Sequence, residues 1–116
     1  MRDKLVFQEF RFDVTGNANP LSIRVPGGTE LQTSASLVSI GSSAKNQVAL
    51  DDTTVSRRHA LIANFPDDVW LYDLGSTRGT QVDGNAVAGR AFLDGVHRVR
   101  IGRLEIEVTA HAGLLV

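Results

Sequence analysis

Three short stretches place small hydroxyl residues beside basic ones, and they follow one another at short intervals along the chain. They are residues 41–46, 55–60 and 73–80. Hydroxyl groups and the backbone N–H groups of tight glycine turns donate hydrogen bonds, and guanidinium groups add positive charge. Together these groups suit an oxyanion such as a phosphate. The residue types therefore favour recognition of an anionic partner.

Motifs of catalysis are incomplete in this chain. Ser42-Ser43-Ala44-Lys45 matches the Ser-x-x-Lys pattern, but the Ser-Asp-Asn and Lys-Thr-Gly motifs that the matching enzymes also carry do not occur. Residues 75–80 lack the Gly-Lys-Ser/Thr ending of a nucleotide-binding loop. There is no cysteine, and His97 and His111 have no companions at metal-ligand spacing. We therefore predict no enzyme activity, no cofactor and no metal.

Length and charge narrow the class of protein further. The 116 residues suit a single domain, residues 1–116, and the net charge of −1 provides no overall basic field for nucleic acid. Arg98, Arg100 and Arg103 alternate with apolar residues, which we interpret as a solvated face and only weakly as a nucleic-acid patch.

Apolar runs are too short for a signal peptide or a membrane span, so we expect a cytoplasmic protein. The apolar C-terminal residues 110–116 are either a frayed end or the cut edge of a longer protein.

Apolar and polar residues alternate in short runs, which predicts an all-β sandwich of two antiparallel sheets and no helix. Asp83-Gly84 predicts a hairpin because both residues tolerate a positive φ. We interpret Trp70 and Tyr72 as core aromatics and residues 31–36 as a loop. Strands are predicted at residues 4–14, 21–25, 37–40, 47–50, 69–72, 80–82 and 86–87, within 56–65, and twice within 96–109 around a Gly102 turn.

The order and spacing of the loop residues resemble the forkhead-associated (FHA) domain family. The resemblance runs from about residue 21 to 108 and rests on Gly41, on Ser56 and His59, and on the Gly-Ser-Thr-x-Gly-Thr run at 75–80. It implies a sandwich of about eleven strands that binds phosphothreonine peptides through the loops at one end.

The resemblance also implies a role for particular residues. Ser56 and Thr77 would contact the phosphate, Arg57 would contact the phosphate or the peptide, and Arg78 would hold the peptide backbone. Lys45 and Ser42 would lie on the same rim. Three further residues match positions that shape the loops: Gly41, His59 and Gly79.

Two positions depart from the family pattern. The family has arginine directly after the loop glycine, where it clamps the phosphate, and this chain has Ser42. The family usually has asparagine after Thr77, and this chain has Arg78. A hydrogen bond to a charged group contributes about 1.5–3 kcal/mol, so loss of the arginine predicts phosphate binding weakened by about 10- to 100-fold. Arg78 is a candidate replacement because guanidinium grips phosphate in a fork.

The sequence leaves two functions open. One is a phosphothreonine reader with weakened or altered phosphate recognition, and the other is a phosphate-independent scaffold or self-assembly domain of a larger bacterial signalling or secretion-system protein. The partner is accordingly a phosphorylated protein or an acidic protein surface, and we expect neither nucleic acid nor membrane insertion. Ser56 and Thr77 could also serve only to cap turns, as Ser and Thr commonly do.

Overall fold

The structure, a computed structural model, describes residues 19–111. Eleven strands and no helix form in this part of the chain, which confirms the predicted all-β class. No segment of residues 19–111 is a helix that is long and apolar enough to cross a membrane. The strands are β1 (Leu21–Arg24), β2 (Glu30–Thr33), β3 (Leu37–Gly41), β4 (Val48–Ala49), β5 (Ala60–Asn64), β6 (Val69–Asp73), β7 (Thr80–Val82), β8 (Asn85–Ala86), β9 (Arg90–Leu93), β10 (Gly95–Ile101) and β11 (Leu104–Ala110).

The strands form two sheets that pack face to face. One has five strands in the order β9-β6-β5-β3-β4, and the other has six in the order β2-β1-β11-β10-β7-β8. All pairs are antiparallel, as predicted, except β3 and β4, where Ile40 lies opposite Val48 in a parallel pair. Residues 42–47 leave the end of β3 and return beside it, so β4 continues in the same direction. This excursion is the first of the three loops singled out above.

Alternation along the strands builds the core between the sheets. Residues at every second position point inward, and the inward residues of both sheets are aliphatic. Among the described residues, the largest fully buried side chains are aliphatic with one exception, a histidine: Ile23, Ile40, Ile62, Leu71, Leu93, Ile101, Ile106 and His59. A buried imidazole needs hydrogen-bond partners, and those of His59 lie in the loops at one end of the sandwich.

One loop prediction needs correction, and one strand prediction cannot be compared. The expected loop at residues 31–36 begins as strand β2, which pairs with β1 as Leu21↔Thr33 to Arg24↔Glu30. This edge strand has no fully buried residue, so its alternation is weak in the sequence. The strand predicted at residues 4–14 lies outside the described residues.

Trp70 and Tyr72 lie on the outer face of the five-stranded sheet, so their prediction as core aromatics was wrong. Only Val69 and Leu71 of β6 are fully buried, and the two aromatic rings alternate with them on the opposite face. The Arg90 guanidinium lies 4.0 Å above the Trp70 ring, and Phe92 packs edge-on against it at 5.3 Å. Stacking on Trp70 stabilises the aromatic face without burying it.

The hairpin predicted at Asp83-Gly84 is confirmed. Both residues have positive φ values, 51° and 86°, and they connect β7 to β8. The Asp83 carboxylate pairs with the His97 ring at 2.7 Å and accepts a hydrogen bond from Arg98 N–H at 2.9 Å, and these two contacts lower the pKa of Asp83.

Candidate functional site

The three predicted loops meet at one end of the sandwich. Ser42 N–H donates to the Ser56 carbonyl at 3.0 Å, which joins the first loop to the second. Thr77 N–H donates to Ser56 Oγ at 3.1 Å, which joins the second loop to the third. Ser56 therefore sits at the junction of the loops, with one neighbour on each side. We call Ser42, Ser56, Thr77 and Arg78 the loop junction.

His59 ties the loops together from beneath. Its side chain is fully buried, and its Nδ1 accepts the Ser56 N–H at 3.0 Å. Because Nδ1 is an acceptor, Nε2 carries the proton and donates to the Gly79 carbonyl at 2.9 Å. The backbone of His59 also pairs with Ile40 and Leu74. One imidazole thus fixes the spacing between the Ser56 loop and the Gly79 turn.

Gly41 makes room for the second loop. A Cβ atom at this position would overlap the Arg57 carbonyl oxygen and lie 2.8 Å from Asn46 Nδ2. The φ of Gly41 is not positive, so the requirement here is for space. Gly79 differs, because its φ of 86° requires the freedom of glycine while no atom crowds its Cβ position.

Asp73 organises the third loop, and sequence reasoning did not identify this role. Its Oδ2 accepts the Gly75 and Ser76 N–H groups at 3.1 and 3.2 Å, and its Oδ1 accepts the Ser76 and Thr80 hydroxyls, each at 2.6 Å. Ser76 Oγ in turn accepts the Gly79 N–H at 3.0 Å. An aspartate followed by small hydroxyl residues is the signal for such a turn, but the same pattern also occurs in unrelated turns.

Replacing Asp73 with asparagine is expected to lower the free energy of unfolding by about 1–3 kcal/mol, because an amide nitrogen cannot accept the bonds that the carboxylate accepts. Partial burial raises the pKa of Asp73, but hydrogen bonds from Ser76, Thr80 and Gly75 outweigh it and bring the pKa below the ordinary 3.8. The stability that Asp73 contributes is therefore complete above pH 3.8 and is lost as the pH falls below it. Urea unfolding of both proteins at several pH values would measure this. The gap between wild type and Asp73→Asn narrows on acidification, and a constant gap would contradict the assignment.

The segment that leads into the second loop is anchored by a local turn and by Arg103, which lies between β10 and β11. Asp52 Oδ1 accepts the Thr54 hydroxyl and N–H at 2.6 and 2.8 Å, and its Oδ2 accepts Arg103 Nε at 2.8 Å. Hydrogen bonds from Thr54 and then Arg103 lower the pKa of Asp52 to about 2. Arg103 is thus engaged at a turn, whereas Arg98 and Arg100 lie on β10 opposite Glu107 and Glu105. The face of the six-stranded sheet on which Arg98 and Arg100 lie therefore carries both positive and negative charges.

The six residues predicted to bind the phosphopeptide divide into two neighbouring groups. Ser42 and Ser56 are half-buried and Thr77 and Arg78 are exposed at the loop junction. Lys45 and Arg57 are exposed and line an adjacent cleft, whose lining does not include the four junction residues. The two groups are neighbours in the chain, because Arg57 directly follows Ser56.

Residues 38–103, more than half of the chain, match the FHA domain family. Together with the eleven-stranded sandwich, this match shows that the chain belongs to that family, whose members are interaction modules that bind phosphothreonine. The resemblance seen in the sequence is therefore confirmed. No curated protein matches the chain.

Solved structures similar to this chain include FHA domains with phosphorylated or protein partners. One, from a structural and functional analysis of phosphothreonine-dependent FHA domain interactions, is 32% identical with a TM-score of 0.73, and the match covers 79% of this chain and 97% of that one. The FhaA FHA domain, complexed with the intracellular domain of Rv3910, is 32% identical with a TM-score of 0.70, covering 76% and 98%. Mycobacterium tuberculosis EmbR, in complex with a low-affinity phosphopeptide, is 25% identical with a TM-score of 0.74, covering 81% of this chain and 25% of that one.

Proposed function

We propose that this chain binds phosphothreonine-containing protein segments at the loop junction, and that its contacts with the phosphate differ from those usual in the family. The observation that carries the proposal is the 3.1 Å hydrogen bond from Thr77 N–H to Ser56 Oγ, which brings together the two hydroxyl residues that the resemblance assigns to the phosphate. Because Ser56 Oγ accepts this bond, its own hydrogen is left to donate to an anion.

Ser42 is the reason to expect an altered grip. Its backbone N–H is used by the Ser56 carbonyl, and its side chain carries no charge. A serine hydroxyl at this place can give the phosphate one neutral hydrogen bond, whereas an arginine would give two charged ones. We expect the intrinsic affinity for an isolated phosphothreonine to be correspondingly low.

Arg78 is the cation best placed to compensate. It follows Thr77 directly and is exposed, and among residues 19–111 it forms no ion pair. Its guanidinium would be free to fold toward a phosphate held between Ser56 and Thr77. Arg78 would then take the role that the loop arginine has elsewhere in the family.

Two substitutions with opposite expected effects test this function. Ser42→Arg is expected to tighten binding of a phosphothreonine peptide by about 10- to 100-fold, because it restores a charged hydrogen bond. Arg78→Ala is expected to weaken binding by at least about 10-fold for the same reason. Isothermal titration or fluorescence anisotropy with matched phosphorylated and unphosphorylated peptides measures both.

The matched control for these variants is Arg100→Ala. It removes an exposed arginine from β10 of the six-stranded sheet and is expected to leave binding unchanged. If the wild type prefers no phosphorylated peptide and only Ser42→Arg binds one, the natural chain is no phosphothreonine reader. If Arg78→Ala binds as tightly as the wild type, Arg78 does not replace the clamp.

A phosphate-independent scaffold is the second candidate, and Ser42 is the observation that favours it. The FhaA FHA domain has been solved in complex with the intracellular domain of Rv3910, so a protein domain is a suitable partner for this candidate function. In this candidate function, Arg78 would grip a carboxylate of the partner. A partner captured equally well before and after phosphatase treatment would support it. In both candidate functions the chain binds a partner and catalyses no reaction. In both, it acts in the cytoplasm.

A further inference from the structure

A cationic cleft lies beside the loop junction, on the flank of the five-stranded sheet. Its volume is about 410 Å³, and it is formed by the first two loops, the outer face of β3 and β5, and the residue that follows β6. We call it the flank cleft. Its lining residues are Ser39, Ser43, Lys45, Asn46, Arg57, Arg58, Leu61 and Leu74.

The charge in the flank cleft is of one sign. Lys45, Arg57 and Arg58 line it, and no carboxylate of residues 19–111 does. The ion pairs found among residues 19–111 involve other cations, so these three have no acidic partner within the described structure. Three neighbouring positive charges repel one another, and an anion bound between them would relieve that repulsion.

One wall of the flank cleft is apolar. Leu74 is 47% exposed and Leu61 is half-buried, and both belong to the lining. An exposed leucine beside cations suits a ligand that brings an apolar group together with its negative charge. A peptide segment offers both, and a free inorganic anion offers only the charge.

The floor of the flank cleft is held in shape by hydrogen bonds within the chain. Asn46 Nδ2 donates to the Ser43 carbonyl at 2.9 Å and to the Arg57 carbonyl at 2.8 Å, so one side chain holds both loops. Ser39 and Gln47 exchange two further hydrogen bonds, at 3.0 and 3.1 Å. A preformed site lowers the cost of ordering on binding.

We propose that the flank cleft is a second anion subsite, which takes an acidic side chain or a second phosphate from the peptide whose phosphothreonine lies at the loop junction. The inference rests on the proposed function and narrows its ligand class. Arg58 is two residues from Ser56, so their Cα atoms are at most about 7 Å apart. The second anion therefore lies about one to three residues from the phosphothreonine, with an apolar neighbour for Leu61 and Leu74.

The test uses one short peptide in four forms: phosphothreonine alone, phosphothreonine with a nearby glutamate, phosphothreonine with a second phosphothreonine, and unphosphorylated threonine with the glutamate. The second anion is expected to tighten binding by about 10-fold through charged hydrogen bonds to Arg58 and Lys45. Comparison of the second and third forms shows which anion the cleft prefers. In the Arg58→Ala variant, the second anion should no longer tighten binding, while the affinity for the peptide with phosphothreonine alone should stay the same.

Arg100→Ala again serves as the control, since it removes equal charge at a distant face and should keep the gain. Equal binding of the first three forms, or a gain that survives Arg58→Ala, would overturn the subsite. If no form shows a preference for phosphothreonine, the proposed function has failed by itself. In that case the fourth form decides: binding that depends on Arg58 supports the subsite, and no binding refutes it.

Discussion

Gly41→Ala is expected to be among the most damaging single substitutions at this end of the sandwich, lowering the free energy of unfolding by about 3 kcal/mol. The added Cβ would overlap the Arg57 carbonyl oxygen, which also accepts hydrogen bonds from Asn46 and Ser43. Backbone cannot move aside as the end of a side chain can. Relief would require the first two loops to separate, and both the loop junction and the flank cleft would lose their shape.

Gly75→Ala is the matched control, because that glycine has a φ of 75° but no atom within 4 Å of its Cβ position. Its cost is conformational strain alone, about 1 kcal/mol. Urea unfolding of both variants at pH 7 gives the comparison. If Gly41→Ala proves no more destabilising than Gly75→Ala, then the close approach of the first two loops is not as described.

His59→Ala is expected to have a comparable effect, about 3 kcal/mol, for a different reason. It leaves a cavity in a fully buried position and removes the partners of the Ser56 N–H and the Gly79 carbonyl. The loops would lose their common support, so amide exchange at Ser56 and Thr77 should accelerate more than global unfolding explains. Exchange measured by NMR under native conditions reports this directly.

His97→Ala separates the effect of this buried site from that of removing any imidazole. His97 is also hydrogen-bonded, to Asp83 at 2.7 Å, but the Asp83 side chain is 48% exposed and water can replace the lost contact. We expect a cost of about 1 kcal/mol or less there. Similar losses from the two histidine variants would show that His59 does not connect the loops.

In this site, buried residues hold the loops in place, and exposed residues carry the positive charge. Gly41 and His59 are buried, while Arg57, Arg58 and Arg78 are exposed. Substitutions of the first kind should reduce stability and binding together. Substitutions of the second kind should alter binding with little change in stability, because exposed cations without partners add little to folding.

Local signals in the sequence predicted much of the fold. The Asp83-Gly84 hairpin and the Gly102 turn depend on φ preferences of the residues themselves, and both lie where expected. Strand β2 was missed because an edge strand with no fully buried residue lacks a clear apolar period. The placement of Trp70 was wrong because a run of apolar residues does not reveal that one face of its sheet is left open.

The site was harder to predict because its contacts join distant parts of the chain. The resemblance to the family brought Ser56 and Thr77 together, but nothing local separates Lys45 and Arg57 into a cleft of their own. The four bonds accepted by Asp73 depend on how residues 75–80 curl around it. Such partners become visible only once the three loops are placed relative to one another.

The most direct test of phosphothreonine recognition at the loop junction is an NMR titration of the ¹⁵N-labelled protein with a phosphothreonine peptide and the same peptide without phosphate. We expect the phosphorylated peptide to shift the amides of Ser56, Thr77 and Arg78, while amides at Asp67 and Asp68, in the turn at the far end of β5, stay unchanged. The unphosphorylated peptide should shift none of them. Equal shifts with both peptides, or shifts at the far turn alone, would contradict phosphothreonine recognition at the loop junction.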